Sequence, residues 1–252
     1  MNAVPQPSPT ALAQLRVIAT STADCRSLPF HVETLDSRLG GGLRAGALHE
    51  VAPSTASLAD DAAATLFLAG IAAREARSVR APVLWVSCRN DLYAPGLAQA
   101  GLCAADVIHA QPRDDAALLA VVEDAVRDGT PSAVVAEASK VSMVATRRLQ
   151  LAAAEADFPV LLLRRQRRRA IDPFTEPSAA WTRWRVGSAP SARLAVAGVG
   201  RARWSLVLVR QRNGQPFSML VEGCDETGRL AVPAVSAHRA AETAGTGRLA
   251  AA

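Results

Sequence analysis

Three consecutive glycines, Gly40 to Gly42, mark the segment of this chain whose residues come closest to a chemical site. Glycine lets a backbone turn sharply at low steric cost, and residues 47–52 after it have the pattern of a buried strand. A loop that follows such a strand binds phosphate when it supplies glycine amides, a lysine that neutralises charge and a hydroxyl that holds Mg²⁺. The pattern therefore indicates a place for phosphate chemistry immediately after this strand.

The loop after the strand lacks the groups that phosphate binding requires. It contains no glycine, no lysine and no Lys-Ser or Lys-Thr pair, and it reads Ala52-Pro53-Ser54-Thr55-Ala56-Ser57-Leu58-Ala59-Asp60-Asp61. Asp60 and Asp61 are suited to cap the helix that they begin, but their charge would repel a triphosphate at close range. The residues of this degenerate nucleotide loop are Ala52, Pro53, Ser54, Ala56, Asp60 and Asp61.

Other arrangements that could support catalysis are also missing from the sequence. Glu137 follows a predicted strand at 133–136, in the place of a Mg²⁺-binding carboxylate. Without partners on the phosphate side we interpret it as vestigial. The four cysteines are scattered without zinc-ligand spacing, and no serine lies in a nucleophile-elbow context. We expect no catalytic residue, no bound metal, no cofactor and no enzymatic activity.

Strand and helix patterns alternate around these positions from Leu35 to Leu163. The predicted strands are 47–52, 83–87, 133–136 and 159–163, and the predicted helices are 60–77, 114–128 and 143–156. Short apolar strands separated by helices are typical of a parallel sheet covered on both faces. Beyond Arg164 the pattern predicts antiparallel strands at 181–186, 194–197, 204–212 and 217–222, with a hairpin turn at Asn213-Gly214. We predict an α/β fold with a mostly parallel sheet and a C-terminal antiparallel hairpin.

Length and composition favour one main domain, because 252 residues that are half apolar can bury one substantial core. We place this domain at 28–235, after an N-terminal segment, 1–27, in which Leu12, Leu15 and Ile18 have the spacing of a docking helix. The tail at 236–252 is expected to be disordered. No apolar run is long enough to span a bilayer, so we expect a cytoplasmic protein without membrane contact. The net charge of +5 favours an anionic partner.

A resemblance to known proteins covers most of the chain. The segment from Leu35 to Val51 is similar to the lead-in to the phosphate loop of RecA and its relatives, with an L-D-x-x-L-G-G-G-L stretch followed by G-x-L-x-E-V. Further stretches at 82–86, 92–97, 146–152, 177–186 and 203–216 resemble the ImuA family in the expected order. The resemblance runs from about Leu28 to Leu230.

This resemblance implies a RecA-like P-loop NTPase fold with degenerate Walker A and Walker B motifs, and a non-catalytic role. ImuA-like proteins are similar to RecA and to the cell-division inhibitor SulA, and they are associated with the SOS response to DNA damage. The implied partners in translesion synthesis are an ImuB-like inactive Y-family polymerase and an error-prone DnaE-type polymerase, with RecA and single-stranded DNA as further candidates. The alternatives are a SulA-like cell-division inhibitor and an ATP-dependent recombinase, and the loop sequence disfavours the recombinase.

Two groups of arginines are candidate contact surfaces. The first follows the last predicted parallel strand and consists of Arg164, Arg165, Arg167, Arg168 and Arg169. These side chains would neutralise DNA phosphates or meet a partner protein, and the alternative is a solvated loop. Arg210 and Arg212 lie beside the predicted hairpin turn. An edge strand there would pair with another chain, unless the protein's own tail covers that edge.

Three tryptophans lie in the predicted antiparallel region, namely Trp181, Trp184 and Trp204. Tryptophan is frequent both in cores and at the centres of protein interfaces. We expect at least two of the three to fill the core and one to be exposed.

Overall fold

The computed structural model describes residues 26–165, 172–192, 194 and 196–233. The predicted docking segment around Leu12 to Ile18 and the tail at 236–252 lie outside the described residues. The helices, in chain order, are α1 Glu33–Leu39, α2 Leu58–Val79, α3 Ala94–Gln99, α4 Asp115–Asp128 and α5 Met143–Glu155. The strands are β1 Ser27–Leu28, β2 Leu43–Arg44, β3 Leu48–Pro53, β4 Val83–Ser87, β5 Val107–Ala110, β6 Ala133–Ala138, β7 Val160–Arg164, β8 Thr182–Ala189, β9 Arg203–Gln211 and β10 Phe217–Glu222.

Eight of these strands form one sheet in the order β10-β9-β8-β3-β7-β6-β4-β5. The six strands β8, β3, β7, β6, β4 and β5 are each parallel to their neighbours in this group. Strands β9 and β10 are added at one end of the sheet, and each pairs antiparallel with the strand before it. The predicted α/β class, with a mostly parallel sheet and a closing hairpin, is confirmed. Strand β3 is parallel to both of its neighbours, β7 and β8. The loop that follows β3 therefore lies at the carboxyl edge of the sheet, where ligands bind in folds of this type.

Helices cover both faces of the sheet and bury two apolar layers. On one face α2 packs across β3, β6, β7 and β8 through a row of alanines and Phe67. Phe67 stacks on Phe30 with ring centroids 5.7 Å apart, and Trp184 lies edge-on to Phe30. On the other face α4 and α5 cover the apolar side chains of β4, β6 and β7. Within the described ranges, no helix is both long and apolar enough to cross a bilayer.

Local signals located the longer elements correctly. Asp114 accepts a hydrogen bond from the Ala117 amide at 2.8 Å, and Gly129 ends α4 with a φ of 70°. Ser142 caps α5 in the same way. Trp184 and Trp204 are buried and Trp181 is partly exposed, as expected for the three tryptophans.

The predicted strand at 194–197 is wrong. Its described residues form an open connection between β8 and β9, in which Val196 is 72% exposed and the nearby Val199 is 93% exposed. These side chains face solvent and not an apolar core. Alternating apolar residues stabilise a strand only when one of its faces packs on a core, which this segment does not do. The sequence patterns also missed the short elements α1, α3 and β5.

Candidate functional site

The loop between β3 and α2 lies at the carboxyl edge of the sheet. Its first residue, Ser54, donates its amide to the Val186 carbonyl of β8 at 2.9 Å. Ser57 caps α2 by accepting a hydrogen bond from the Asp60 amide. We predicted Asp60 and Asp61 as the caps of this helix, and the structure corrects that prediction, because capping requires an oxygen on the residue before the helix.

The Asp60 carboxylate instead folds back over the loop and accepts four hydrogen bonds. One oxygen accepts from the Thr55 amide at 2.9 Å and from the Thr55 hydroxyl at 2.6 Å. The other accepts from the Ser188 amide at 2.8 Å and from the Ser188 hydroxyl at 3.1 Å. Asp60 is only 6% exposed. Its burial raises the carboxyl pKa, but the hydrogen bonds from Thr55 and Ser188 outweigh that effect and lower the pKa below the usual value.

Arg165 occupies the neighbouring space at the end of β7 and contacts three carboxylates. Its Nε donates to Glu137 at 2.6 Å, one terminal nitrogen pairs with Asp61, and the other lies 3.7 Å from Asp91. The Arg165 side chain is 11% exposed. Although burial lowers the pKa of this guanidinium, the charge of Glu137 and its hydrogen bond, together with Asp61 and Asp91, raise it. We call Arg165, Asp61, Asp91 and Glu137 the Arg165 cluster.

Glu137 links this cluster to the core. It lies near the end of β6, and its second oxygen accepts a hydrogen bond from the indole Nε1 of the fully buried Trp85 at 2.6 Å. Both carboxylate oxygens are therefore engaged by protein donors. Among the described residues, no group of three or more His, Cys, Asp or Glu side chains is arranged to hold a metal ion.

A second buried ion-pair network joins β3, β7 and β8. Glu50 of β3 is fully buried and accepts from Arg164 at 3.0 Å, from Arg183 at 2.7 Å and from the Ser178 hydroxyl at 2.9 Å. The Arg183 guanidinium also lies over the Phe174 ring, 4.2 Å from its centroid. We call Glu50, Arg164 and Arg183 the Glu50 network.

These two networks correct the expectation that Arg164 and Arg165 are free to contact DNA or a partner. Arg164 is 1% exposed because it continues the inward face of β7 and meets Glu50 there. Arg165 points the other way, into the Arg165 cluster. The remaining residues of the run, Arg167, Arg168 and Arg169, lie outside the described residues, so their predicted contact role stays a prediction.

An apolar cleft of about 330 Å³ borders the Arg165 cluster. It lies between the first turns of α2 and the start of α3, with Leu58 and Tyr93 on its rim. Leu58 is 88% exposed and Tyr93 is 70% exposed. The carboxyl edge of the sheet, which we call the phosphate-loop edge after the loop between β3 and α2, is thus bordered by apolar surface. The charged groups of the Arg165 cluster at this edge are paired with one another.

The closing hairpin carries the other predicted contact residues. Arg210 donates to the Ser178 carbonyl at 2.6 Å, and the Arg212 guanidinium lies over the Trp181 ring, 5.2 Å from its centroid. Both residues are exposed. The hairpin forms as predicted, with Asn213 at a φ of 63° in its turn.

Sequence patterns found the loop and Glu137 but not the partners of these residues. The clearest available signal was a charged residue within an apolar strand pattern, as at Glu50 and Arg164. Such a residue needs a buried partner of opposite charge. The pairing of β3 with β7 brings these two residues together from 114 positions apart in the chain.

No protein-family model matches the chain. Proteins named ImuA from two strains of Caulobacter vibrioides are each 37% identical to it over 194 residues, which cover 73% of this chain and 77% of the relative. A solved structure of the RadB recombinase is similar, with a TM-score of 0.56, 16% identity, and coverage of 82% of this chain and 99% of RadB. The RecA-like fold predicted from the sequence is confirmed by this structural likeness.

Proposed function

The chain belongs to the ImuA family, and we propose that it is a non-catalytic scaffold of a damage-inducible, mutagenic translesion synthesis complex. In this role it docks to an ImuB-like inactive Y-family polymerase and supports an error-prone DnaE-type polymerase. RecA and single-stranded DNA are further proposed partners. The observation that supports a non-catalytic role is the position of the Asp60 carboxylate. It accepts the hydrogen bonds that Thr55 and Ser188 donate around the degenerate loop.

The electrostatics of the loop support a site that does not use ATP. Thr55 and Ser188 direct their donors at Asp60, and a phosphate group would have to displace a carboxylate that the protein itself supplies. Asp61 and Glu137 add negative charge at the same edge, and both pair with Arg165. A triphosphate would meet repulsion here at close range.

We expect no measurable binding of Mg-ATP at millimolar concentration. Isothermal titration with the full chain checks this expectation, with a nucleotide-binding RecA-like protein as the positive control. Magnesium-dependent ATP turnover that disappears in Glu137→Gln would contradict the non-catalytic proposal.

We further propose that partner docking uses the open edge of β10. Strand β10 ends the sheet, and in the described chain its outer side is bridged only at Glu222, which exchanges two hydrogen bonds with Ala231. Backbone groups in an antiparallel strand face alternate sides, so Ser218 and Leu220 direct their amides and carbonyls to the same open side as Glu222. A strand of a partner could extend the sheet there. Arg210 and Arg212, on the adjacent strand and turn, would add positive charge to this surface.

Removing the two outward amides should weaken docking. Ser218→Pro with Leu220→Pro leaves the hydrogen bonds to β9 intact, because proline is tolerated where the amide faces outward from an edge strand. Loss of two intermolecular hydrogen bonds, each contributing about 1 kcal/mol, should weaken binding to the polymerase-like partner by about tenfold or more.

The matched control is Ser218→Ala with Leu220→Ala, which shortens the same side chains and keeps both amides. Pull-down and surface-binding measurements in the absence of nucleic acid compare the two variants. If the folded proline variant binds as tightly as the alanine variant, the docking surface lies elsewhere.

A further inference from the structure

A second cleft, of about 250 Å³, lies at the amino edge of the sheet, opposite the phosphate-loop edge. Arg44 and Trp181, which lie in its wall, come just before β3 and β8, and the hairpin turn after β9 contributes the other side. We call it the Trp181 cleft, and the residues that define it are Arg44, Trp181, Gln211, Arg212 and Asn213. No acidic residue contributes to its lining.

Two guanidinium groups in the cleft rest on one indole ring. The Arg44 guanidinium lies 4.5 Å from the centroid of the Trp181 ring and that of Arg212 lies 5.2 Å from it. Within the described residues, neither arginine has a carboxylate at ion-pair distance. This distinguishes them from Arg164 and Arg165, whose charges are compensated. The Trp181 cleft therefore presents two uncompensated positive charges.

Two buried polar atoms here also have no hydrogen-bond partner among the described residues. They are the Arg44 Nε, which is a donor, and the Gln211 Oε1, which is an acceptor. Buried polar atoms in native proteins are almost always paired. Both side chains would have to turn toward the cleft for a ligand to reach these atoms. A ligand with an anionic oxygen and an N–H donor would then satisfy both, and a nucleotide offers both, through its phosphate and its base.

The cleft is held rigidly by hydrogen bonds behind it. The Trp184 indole donates to the Thr182 hydroxyl at 2.8 Å, and that hydroxyl donates to His49 Nδ1 at 2.7 Å. His49 Nε2 in turn donates to the Arg44 carbonyl at 2.8 Å. On the hairpin side, the Arg212 amide donates to the Trp181 carbonyl at 2.9 Å. A site whose backbone is fixed before binding loses less entropy when a ligand arrives.

A further arginine extends the positive surface beyond the cleft. Arg38, at the end of α1, is exposed and lies over the Phe217 ring at 5.1 Å, again without an ion-pair partner in the described chain. Arginines spread over a surface in this way suit a ligand with repeated negative charges better than one isolated anion.

We infer that the Trp181 cleft binds the phosphate backbone of single-stranded nucleic acid, with Arg44 and Arg212 on the phosphates and Gln211 on a base edge. The combination of cations, an aromatic ring and hydrogen-bonding amides is that of single-strand binding sites. This inference rests on the proposed function for its single-stranded DNA partner and gives that partner a site. The site shares Arg212 with the surface proposed for docking, but the proline variant that tests docking leaves Arg44 and Arg212 unchanged.

Fluorescence anisotropy with a labelled twenty-residue oligothymidylate and the full chain tests this inference. Arg44→Gln with Arg212→Gln should weaken binding about tenfold at moderate salt. It should also reduce the slope of log affinity against log salt by about 1.4, since each phosphate contact on a single strand contributes about 0.7. Arg113→Gln removes one charge from a side chain that is 88% exposed at the other edge, and it should leave both quantities unchanged.

Three results would overturn the inference. They are an unchanged salt slope in the double variant, an equal loss in Arg113→Gln, and a preference for polyglutamate over oligothymidylate that the double variant abolishes. The last result would assign the cleft to an acidic protein. If the glutamine variant does not fold, Arg44→Lys with Arg212→Lys keeps the charge but loses the planar stacking, and it should weaken binding by a smaller factor. Because the polymerase-like partner is assayed without nucleic acid, failure of docking and failure of this site are separate outcomes.

Discussion

Replacing Glu50 by glutamine should lower the free energy of unfolding by about 3–5 kcal/mol, which is a large part of the stability of a domain of this size. Glu50 is fully buried and balances the charges of Arg164 and Arg183, both of which are also buried. Glutamine keeps the size of the side chain but leaves Arg183 without a counter-charge and Arg164 with only the exposed Glu176 carboxylate, 3.9 Å away. The Arg164 Nε already has no hydrogen-bond partner in the described chain.

Urea denaturation followed by circular dichroism measures this loss. The matched control is Asp124→Asn, which removes the carboxylate of an exposed pair with Arg127 and should change stability by less than about 1 kcal/mol. Glu50→Leu combined with Arg164→Met and Arg183→Met removes the whole Glu50 network and should recover much of the loss, because apolar groups of similar volume often replace a buried ion pair without cost. Equal effects of Glu50→Gln and Asp124→Asn would show that the network contributes little to stability.

The parts of the fold that could be predicted from the sequence are those with local causes. Asp114 and Gly129 delimit α4 through hydrogen bonds and backbone geometry within a few residues of each other, so the sequence alone located both ends. The pairing of β9 with β10 was predictable for the same reason, since the Asn213-Gly214 turn joins neighbouring strands. The sharp turn at the glycine triplet was also predictable from the sequence. Gly42 has a φ of 128° there, and an added Cβ would lie 2.5 Å from the Leu28 carbonyl oxygen, so the turn requires glycine.

The candidate site was harder to predict because its contacts join distant parts of the chain. The position of Asp61 as an unfavourable charge near the loop was foreseeable, but its pairing with Arg165 depends on how β7 is placed beside β3. The same holds for Arg164. It begins an arginine-rich run of the kind found on surfaces, and yet its side chain is buried. Successive side chains of a strand face opposite sides of the sheet, so Arg164 and Arg165 face opposite sides. A shift of one residue in the register of β7 would exchange the sides that these two arginines face.

Arg165→Met should also destabilise the protein strongly, by about 3 kcal/mol, because it leaves the buried Glu137 carboxylate with only the Trp85 indole as a partner. Asp61 and Asp91 are more exposed and would be partly solvated, so most of the loss should come from Glu137. Arg165→Lys should fall between wild type and methionine, since a single ammonium group cannot serve three carboxylates as a planar guanidinium does.

A double-mutant cycle with Glu137→Gln separates this explanation from a simple loss of packing. If the charge of Glu137 causes the loss, Arg165→Met with Glu137→Gln should lose about 1.5 kcal/mol less stability than the sum of the losses in the two single variants, within the range of coupling energies for contacting residues. Stability is measured by urea denaturation, and oligothymidylate binding by the folded variants is measured alongside it. Because Arg165 is engaged inside the Arg165 cluster, its replacement should leave the salt slope of binding unchanged. A reduced slope would return Arg165 to the nucleic-acid surface, and strict additivity of the two substitutions would remove the electrostatic explanation of the Arg165 cluster.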